Sequence, residues 1–311
     1  MLVTRGFLPS STRPVVLTIG NFDGVHRGHQ AILDRLVREA RARDLPAAVL
    51  TFEPHPREFF APETAPTRLT SLREKLELLA AYGVEQVHVQ RFDARFAHLT
   101  AELFIERVLV QGLRTRWLLI GDDFRFGAKR TGDFDLLVEA APHYRFEVAA
   151  MPTVSNGGLR VSSSAVRDAL ARGDLEAARL LLGRHYSISG RVIHGAKLGR
   201  QLGYATANVQ LRHNRPPLTG IFAVRAHGTV EGGLPGVASL GFRPTVEDAG
   251  RALLEVHLFD FSDDLYGRHL RVEFLHKIRD EARFADLDTL KAQIARDCDD
   301  ARDFLGTQAH G

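Results

Sequence analysis

The sequence has little cysteine, since Cys298 is the only one among 311 residues. A single cysteine cannot form an internal disulfide, and no apolar run approaches the roughly 20 residues that a membrane-spanning helix needs. The N-terminus also has no long apolar signal segment. Together these absences predict a cytoplasmic protein.

An excess of charge of one sign is equally absent, because the formal net charge is only +3 and Lys and Arg are scattered among carboxylates. This pattern is weak evidence for nucleic-acid binding and favours small anionic ligands. The length predicts about two domains with ample core. We expect no nucleic-acid and no membrane partner, and a weak homo-oligomer is compatible with the sequence.

The stretch from Leu17 to Leu36 organises the N-terminal half. An apolar run, Val15 to Ile19, predicts a buried strand, and after a glycine-punctuated turn an amphipathic helix follows. His26 and His29 fall at its first turn, where free backbone N–H groups and the helix dipole favour an anion. Gly24 and Gly28 would let the backbone approach a polyphosphate closely.

Two alternatives stand beside phosphate binding at this turn. The histidines could only make local hydrogen bonds within a glycine-rich loop, or they could hold a metal ion. The metal hypothesis is weak, because no HExxH arrangement or cysteine cluster completes a ligand set.

Short apolar strands then alternate with helices as far as residue 151, which predicts a doubly wound parallel sheet. Phe52, Pro54 and Pro56 follow one strand, where a rigid loop could hold a planar group or form a mere turn. Asp123 and Phe126 follow another, in a segment that either binds a ligand with a ring and phosphates or forms a charged hairpin loop.

A second helix entrance carries Ser162, Ser163 and Arg167. Serines at this position are first of all good N-caps. An arginine on the first turn beside them makes a second anion site from hydroxyls, backbone N–H groups and a guanidinium.

The pattern changes at Tyr186, after which short β-rich runs are separated by glycine and proline turns until Leu287 to Leu305, a helical pattern. We predict a small antiparallel barrel closed by a C-terminal helix. The domain boundary is expected near Gly183 to His185, with domains over 1–184 and 185–311.

Three features of the predicted barrel carry chemistry. A loop of small and basic residues suits a phosphate, and it contains Gly195, Lys197, Gly199 and Arg200. Thr206 and Asn208 present hard oxygen ligands on one face of a strand, as Mg²⁺ requires. Glu255 interrupts an apolar strand and is either a solvated outward carboxylate or a general base. No GxxxxGK[ST] motif is present, so a P-loop enzyme is not indicated.

These motifs resemble, in order, those of the bacterial bifunctional riboflavin kinase/FMN adenylyltransferase family, over about Val15 to Phe284. The adenylyltransferase module is resembled by GNFDGVHRGH, TFEPHP, GDDFRFG with Arg130, and SSSAVR. The kinase module is resembled by HGAKLGRQLGYATAN, GVASLGFRPT, LEVHLFDF and DLYG. The resemblance implies a Rossmann-like nucleotidyltransferase domain followed by a riboflavin kinase barrel.

The resemblance also implies an activity and residue roles. ATP, with Mg²⁺, would phosphorylate riboflavin to FMN and then adenylylate FMN to FAD with release of pyrophosphate. The catalytic residues would be Glu255, His26, His29 and Arg167. The ATP or phosphate ligands would be Asn21, Gly24, Gly28, Asp123, Ser162, Ser163, Gly195, Lys197, Gly199 and Arg200. The flavin would contact Phe52, Pro54, Pro56, Phe126 and Arg279, and the metal would bind Thr206 and Asn208.

Two positions depart from the family pattern, which usually has Pro where this chain has Ala205 and Asn where it has Ser239. Both put the kinase rate in question more than its existence. An enzyme with only the adenylyltransfer step and a non-enzymatic flavin-nucleotide sensor are the alternatives. Arg279, with Glu281 and Phe284, could also be a helix-capping charge cluster instead of a flavin-side element.

Overall fold

The chain divides into two compact units, Met1–Pro66 with Leu72–Ser162, and Thr67–Ser71 with Ser163–Gly311. A computed structural model describes residues 1–6, 13–152, 155–156, 159–195, 203–211, 215–242 and 252–308. Among these residues, no helix combines the length and the apolar character needed to cross a membrane.

The first unit is built on a six-stranded sheet whose pairings are all parallel. Its strands are β1 (Leu2–Arg5), β2 (Val15–Ile19), β3 (Ala47–Glu53), β4 (Gln86–Arg91), β5 (Thr115–Gly121) and β6 (Glu147–Met151). The spatial order is β1-β4-β3-β2-β5-β6. The strands β3 and β4 are added on one side of β2, and β5 and β6 are added on its other side. This confirms the predicted doubly wound α/β sheet.

Helices connect the parallel strands, as a crossover requires. They are α1 (Arg27–Ala42), α2 (Pro56–Phe60), α3 (Leu72–Ala81), α4 (Ala94–Ala97), α5 (Ala101–Leu103), a π-helix (Phe104–Gly112), a 3₁₀ turn (Ala128–Arg130) and α6 (Phe134–Tyr144). Thr100 caps α5 as its sequence position predicts, because its side chain accepts a hydrogen bond from the backbone N–H of Leu103. A two-stranded ribbon, β7 (Ser155–Asn156) and β8 (Leu159–Arg160), ends the unit.

The second unit is a closed barrel in which neighbouring strands are antiparallel. It comprises α7 (Ser163–Ala171), α8 (Leu175–Leu182), β9 (Tyr186–Ile193), β10 (Ala207–Val209), β11 (Gly220–His227), β12 (Leu234–Phe242), β13 (Ala252–Leu258), β14 (His269–Arg279) and α9 (Leu287–Gln308). The barrel and its C-terminal helix are therefore confirmed.

Two apolar clusters stabilise the second unit. The barrel interior, with Phe222 and Phe274 fully buried, shares one cluster with residues of α7 and α8. For that reason the compact unit begins at Ser163, upstream of residue 185. A separate cluster joins α9 to the outer face of the barrel. Asn208 and Glu255, two of the kinase residues predicted from sequence, lie on this outer face.

Candidate active sites

The carboxyl ends of β2 and β5 mark the switch point of the parallel sheet, where open α/β sheets bind ligands. The turn that begins at Asn21 follows β2, and Asp122 with Asp123 follow β5. The topology therefore brings together the two segments that the sequence predicts at one sheet edge.

The turn between β2 and α1 has an unusual backbone. Gly24 has φ of +81°, and the non-glycine residues Phe22 and Val25 also have positive φ, 49° and 39°. Such values cost energy in L residues, and here the two side chains are fully buried in the core, which holds the turn in place. The strain lies directly before the two histidines.

His26 and His29 form a stacked pair at the start of α1. Their ring centroids are 3.7 Å apart with an interplanar angle of 15°. His26 is the N-cap of the helix, because its Nδ1 accepts a hydrogen bond from the backbone N–H of His29 at 3.3 Å. The proton of the neutral His26 ring therefore lies on Nε2, which can donate to an anion.

His29 is held in its neutral form. Burial lowers the pKa of its imidazole well below the ordinary value of 6.5, and repulsion by Lys75, and by His26 when that ring is protonated, lowers the pKa further. Its Nδ1 is buried and has no hydrogen-bond partner within the described residues. The ring of Phe22 packs against it at a centroid distance of 4.9 Å. The site thus contains a rigid, neutral imidazole with unused hydrogen-bonding capacity.

Gly28 is favoured by close packing rather than by an unusual backbone angle. A Cβ at this position would lie 3.2 Å from the His26 ring and 3.5 Å from the carbonyl oxygen of Val161. The helix start and the residue before Ser162 are therefore neighbours within the first unit. Substitution of Gly28 would push directly on the N-capping histidine.

The other predicted phosphate ligands of this module are placed as follows. The side-chain oxygen of Asn21 is buried without a hydrogen-bond partner in the described part of the chain, whereas Asp123 is exposed. Ser163 is the first residue of α7. Arg167 lies in the same helix and its Nε donates to the carbonyl oxygen of Thr67. Part of the guanidinium therefore stabilises the segment Thr67–Ser71 of the second unit.

The predicted flavin-lining residues differ in exposure. Phe52 is half-buried and contacts Phe92 and Phe96 at centroid distances of 5.8 Å and 5.7 Å, while Pro54 is exposed and Pro56 begins α2. These residues lie near an aromatic surface that the sequence analysis missed. Phe59 and Phe92 line it half-buried, and Phe60 is 67% exposed.

Phe126 is placed in the core rather than at the surface. Only 6% of it is exposed, and its ring packs against Phe104 and Phe124 at 5.2 Å and 5.6 Å between centroids. A Cβ on Gly132 would lie 2.6 Å from this ring. The surface that Phe126 can offer to a ligand is therefore small, and its main contribution is to support the loop that follows β5.

One cross-strand row of the barrel contains three residues predicted for the kinase reaction, Asn208, Glu255 and Arg279. Asn208 of β10 is opposite Glu255 of β13, which in turn is opposite Ser239 of β12. The row continues through Ile221 to Arg279 of β14. The buried neighbours of Glu255, Leu254 and Val256, point into the barrel, so Glu255 is directed to the outer face, where it is half-buried.

Asn208 is the most enclosed member of this row. It is 5% exposed, and its side-chain oxygen has no hydrogen-bond partner among the described residues. A Cβ on Gly195 would approach its amide group to 2.3 Å, so any larger residue there would have to displace the Asn208 side chain. An oriented, unsatisfied amide oxygen beside a carboxylate and the half-buried Thr206 fits a divalent cation that prefers oxygen ligands.

Other parts of the kinase prediction are only partly described. Lys197, Gly199 and Arg200 lie outside the described residues. The described residues contain no group of three or more His, Cys, Asp or Glu side chains that could hold a metal ion.

Arg279 makes a bidentate ion pair with Asp297 of α9, with Nε to Oδ1 at 2.7 Å and Nη2 to Oδ2 at 2.6 Å. The carboxylate of Glu281 lies against Gly241, where a Cβ would approach it to 1.8 Å. Burial raises the pKa of Glu281, and the charge of Arg279 opposes this shift. The segment thus packs closely on the barrel next to the row.

Comparison with known proteins supports two modules. The family model described as FAD synthetase matches residues 8–165, and the one described as riboflavin kinase matches residues 182–305. The chain is 54% identical over 309 residues to the bifunctional riboflavin kinase/FMN adenylyltransferase of Escherichia coli strain K12, covering 98% of each chain. It is 50% identical over 313 residues to the protein of the same name from Pseudomonas fluorescens, covering 100% of each.

A solved structure has the same fold along nearly the whole chain. It is described as a macrolide-efflux protein from Streptococcus pneumoniae and matches with a TM-score of 0.80 at 28% sequence identity. The match covers 96% of this chain and 97% of that one.

Proposed function

Because the chain belongs to the family of bifunctional riboflavin kinase/FMN adenylyltransferases, we propose that its two sites divide the two reactions between them. The protein phosphorylates riboflavin to FMN with ATP and adenylylates FMN to FAD. We assign the adenylyltransferase module to residues 1–184 and the kinase module to residues 185–311. The two matched family segments support this division.

In adenylyltransfer, an oxygen of the FMN phosphate attacks the α-phosphorus of ATP, and the bond to pyrophosphate breaks. The stacked His26 and His29 at the start of α1 carry this assignment. The first-turn N–H groups and the Nε2–H of His26 donate to the phosphates. The neutral His29 can donate or accept a hydrogen bond without adding a charge that must be desolvated. Ordered donors in a partly buried site stabilise the charge that develops on pyrophosphate.

We assign further residues to this reaction on the resemblance to the family. Ser162, Ser163 and Arg167 bind the ATP phosphates, and Asn21 and Asp123 position the nucleotide. The amide oxygen of Asn21 supports this role, because it is buried and accepts no hydrogen bond from the residues that the structure describes, which costs free energy unless a ligand supplies a donor. Phe52, Pro54 and Pro56 border the flavin ring, and the exposed face of Phe60 is added as a stacking surface. Phe126 packs beneath the loop that follows β5 and supports it.

In the kinase reaction, Glu255 removes the proton from the terminal ribityl hydroxyl of riboflavin. The oxygen then attacks the γ-phosphorus of ATP, and the bond to ADP breaks. Thr206 and Asn208 are the proposed ligands of Mg²⁺, which when bound neutralises phosphate charge. Asn208 holds its oxygen toward this position because Gly195 packs against its amide. Gly195, Lys197, Gly199 and Arg200 form the proposed phosphate loop.

The reciprocal loss of activities tests this division. Flavins are separated by chromatography after incubation of purified protein with ATP and Mg²⁺, starting either from riboflavin or from FMN. We expect Glu255→Gln to abolish FMN formation and keep FAD formation from FMN. We expect His26→Ala to do the reverse, so that FMN accumulates from riboflavin. Unchanged FMN formation in Glu255→Gln would contradict its role as the base.

The cytoplasmic location and the weak homo-oligomer stay predictions from the sequence. Size-exclusion chromatography with light scattering would measure the oligomeric state directly.

A further inference from the structure

The ion pair between Arg279 and Asp297 is buried on the Asp297 side. Asp297 is only 3% exposed, and its carboxylate accepts from two nitrogens of Arg279 and from the Nε2 of Gln293 at 2.9 Å. Bidentate geometry fixes the plane of the guanidinium as well as its distance.

Apolar contacts also dock α9 on the barrel. The helix already buries Cys298, Ala301 and Leu305 against an apolar patch of the barrel that includes Ile221. The desolvation cost of a buried ion pair offsets much of its attraction, and apolar side chains of similar volume often stabilise as well or better. A pair of this kind instead specifies one geometry, here the orientation of Arg279.

The remaining contacts of Arg279 determine which surface its guanidinium offers to a ligand. Its Nη1 donates to the carbonyl oxygen of Asp280 at 2.9 Å, and its guanidinium carbon lies 5.7 Å from the centre of the Phe284 ring. The charge is neutralised by Asp297, so Arg279 offers a flat, ordered surface rather than an anion site. The segment from Arg279 to Phe284 is thereby fixed relative to β14.

The position of this segment on the barrel relates it to Glu255. Arg279 ends the cross-strand row that contains Glu255, three strands away through Ile221 and Ser239. With neighbouring strands about 4.8 Å apart, the row spans about 14 Å along the outer surface. A tricyclic ring with a five-carbon chain has the length to reach from Arg279 to Glu255, with its terminal hydroxyl at Glu255.

We propose that Asp297 is a positioning residue for riboflavin, which acts by orienting Arg279 and the segment up to Phe284 against the isoalloxazine ring. This inference rests on the proposed kinase site. According to this inference, α9 contributes to substrate recognition, although Asp297 does not contact the substrate itself.

The experiment compares steady-state kinase kinetics of the full-length protein and Asp297→Asn. We expect the KM for riboflavin to rise about tenfold, equivalent to about 1.4 kcal/mol, while the KM for ATP changes less than about twofold. FAD formation from FMN in the same preparation stays unchanged. The matched control is Asp260→Asn, which removes an exposed ion pair to Arg302 of the same helix and should leave both KM values unchanged.

Asp297→Glu retains the charge and should recover part of the riboflavin affinity. If Asp297→Asn does not fold, Arg279→Lys replaces the fork with a single ammonium and should also raise the riboflavin KM. A lower thermal midpoint with an unaltered riboflavin KM, or equal changes in both KM values, would overturn the inference. Failure of the unmodified protein to phosphorylate riboflavin would instead overturn the proposed function and the inference together.

Discussion

The Nδ1 atom of His257 lies 2.9 Å from the carbonyl oxygen of Ala205, and the imidazole must be the donor because a carbonyl oxygen only accepts. Ala205 is the residue where the family pattern usually has proline, directly before the proposed metal ligand Thr206. A side chain of β13 therefore restrains the backbone at a position that lacks the rigidity of a proline ring.

The first prediction concerns this restraint. His257→Ala should lower the rate of riboflavin phosphorylation roughly three- to tenfold, as expected for loss of a hydrogen bond worth about 0.5–1.5 kcal/mol. Adding Ala205→Pro to that variant should restore part of the rate, because proline restricts the same backbone. His227→Ala, which removes a barrel histidine paired with Glu273, serves as the control. Equal rates of riboflavin phosphorylation in His257→Ala and the unmodified protein would show that His257 does not support the kinase reaction in this way.

The second prediction concerns the contact between Gly195 and Asn208. Gly195→Ala should reduce kinase activity by at least about tenfold, because a Cβ 2.3 Å from the amide must displace Asn208. FAD formation from FMN should be unchanged. Gly306→Ala is the matched control, since a Cβ there meets nothing within 4 Å in a helix and should stabilise α9 by up to about 1 kcal/mol. A fully active Gly195→Ala would show that Asn208 need not be held in this orientation.

The third prediction concerns pH. Because burial lowers the pKa of His29 below 6.5, the unfolded chain binds more protons than the folded protein at pH values below 6.5. The free energy of unfolding should therefore fall as the pH decreases from 6.5, with a slope of up to about 1.4 kcal/mol per pH unit from this residue. His29→Asn should reduce that slope.

The measurement uses urea unfolding at several pH values, followed by fluorescence of Trp117, the only tryptophan in the sequence. Trp117 is 4% exposed in the core of the first unit and reports on that unit. Burial also lowers the pKa of His88, so His88→Gln should reduce the slope as well but preserve FAD formation. An identical slope with and without His29 would contradict the neutral state assigned to it.

The fourth prediction concerns the exposed ring of Phe60. Phe60→Ala should raise the KM for FMN in adenylyltransfer about fivefold to tenfold, the loss expected when an aromatic stacking partner is removed. The thermal midpoint should be unchanged, because this side chain is 67% exposed. Val138→Ala removes a comparably exposed apolar side chain of α6 and should have no effect on FMN. The same FMN affinity in both variants would exclude Phe60 from the flavin site.

The fold was predictable because its signals are local. The strand Val15–Ile19 and the caps at Thr100 and Asp174 follow from apolar runs and short-range hydrogen bonds. The π-helical continuation Phe104–Gly112 was not predictable, because it continues the amphipathic pattern expected of an α-helix. The glycine-punctuated loop before His26 predicted the start of α1 correctly.

For the sites, the sequence proposes sets of residues but does not give the contacts that these residues make. Sequence spacing indicates that Phe126 follows a strand, but its burial beneath Phe124 depends on packing with distant residues. In the same way, Arg279 and Asp297 are separated by 18 residues, and only the docking of α9 brings them together. The aromatic surface with Phe60 was missed because α2 was expected to be a proline-stiffened loop.

The placement of Thr67–Ser71 in the second compact unit has a consequence for synthesis on the ribosome. Leu69 is fully buried in the cluster that also contains residues of α7, α8 and the barrel. Its burial partners emerge from the ribosome only after residue 162, so this leucine stays exposed to solvent while the rest of the parallel sheet is already translated. We therefore expect the nascent N-terminal half to present an apolar segment to chaperones until the barrel has been made.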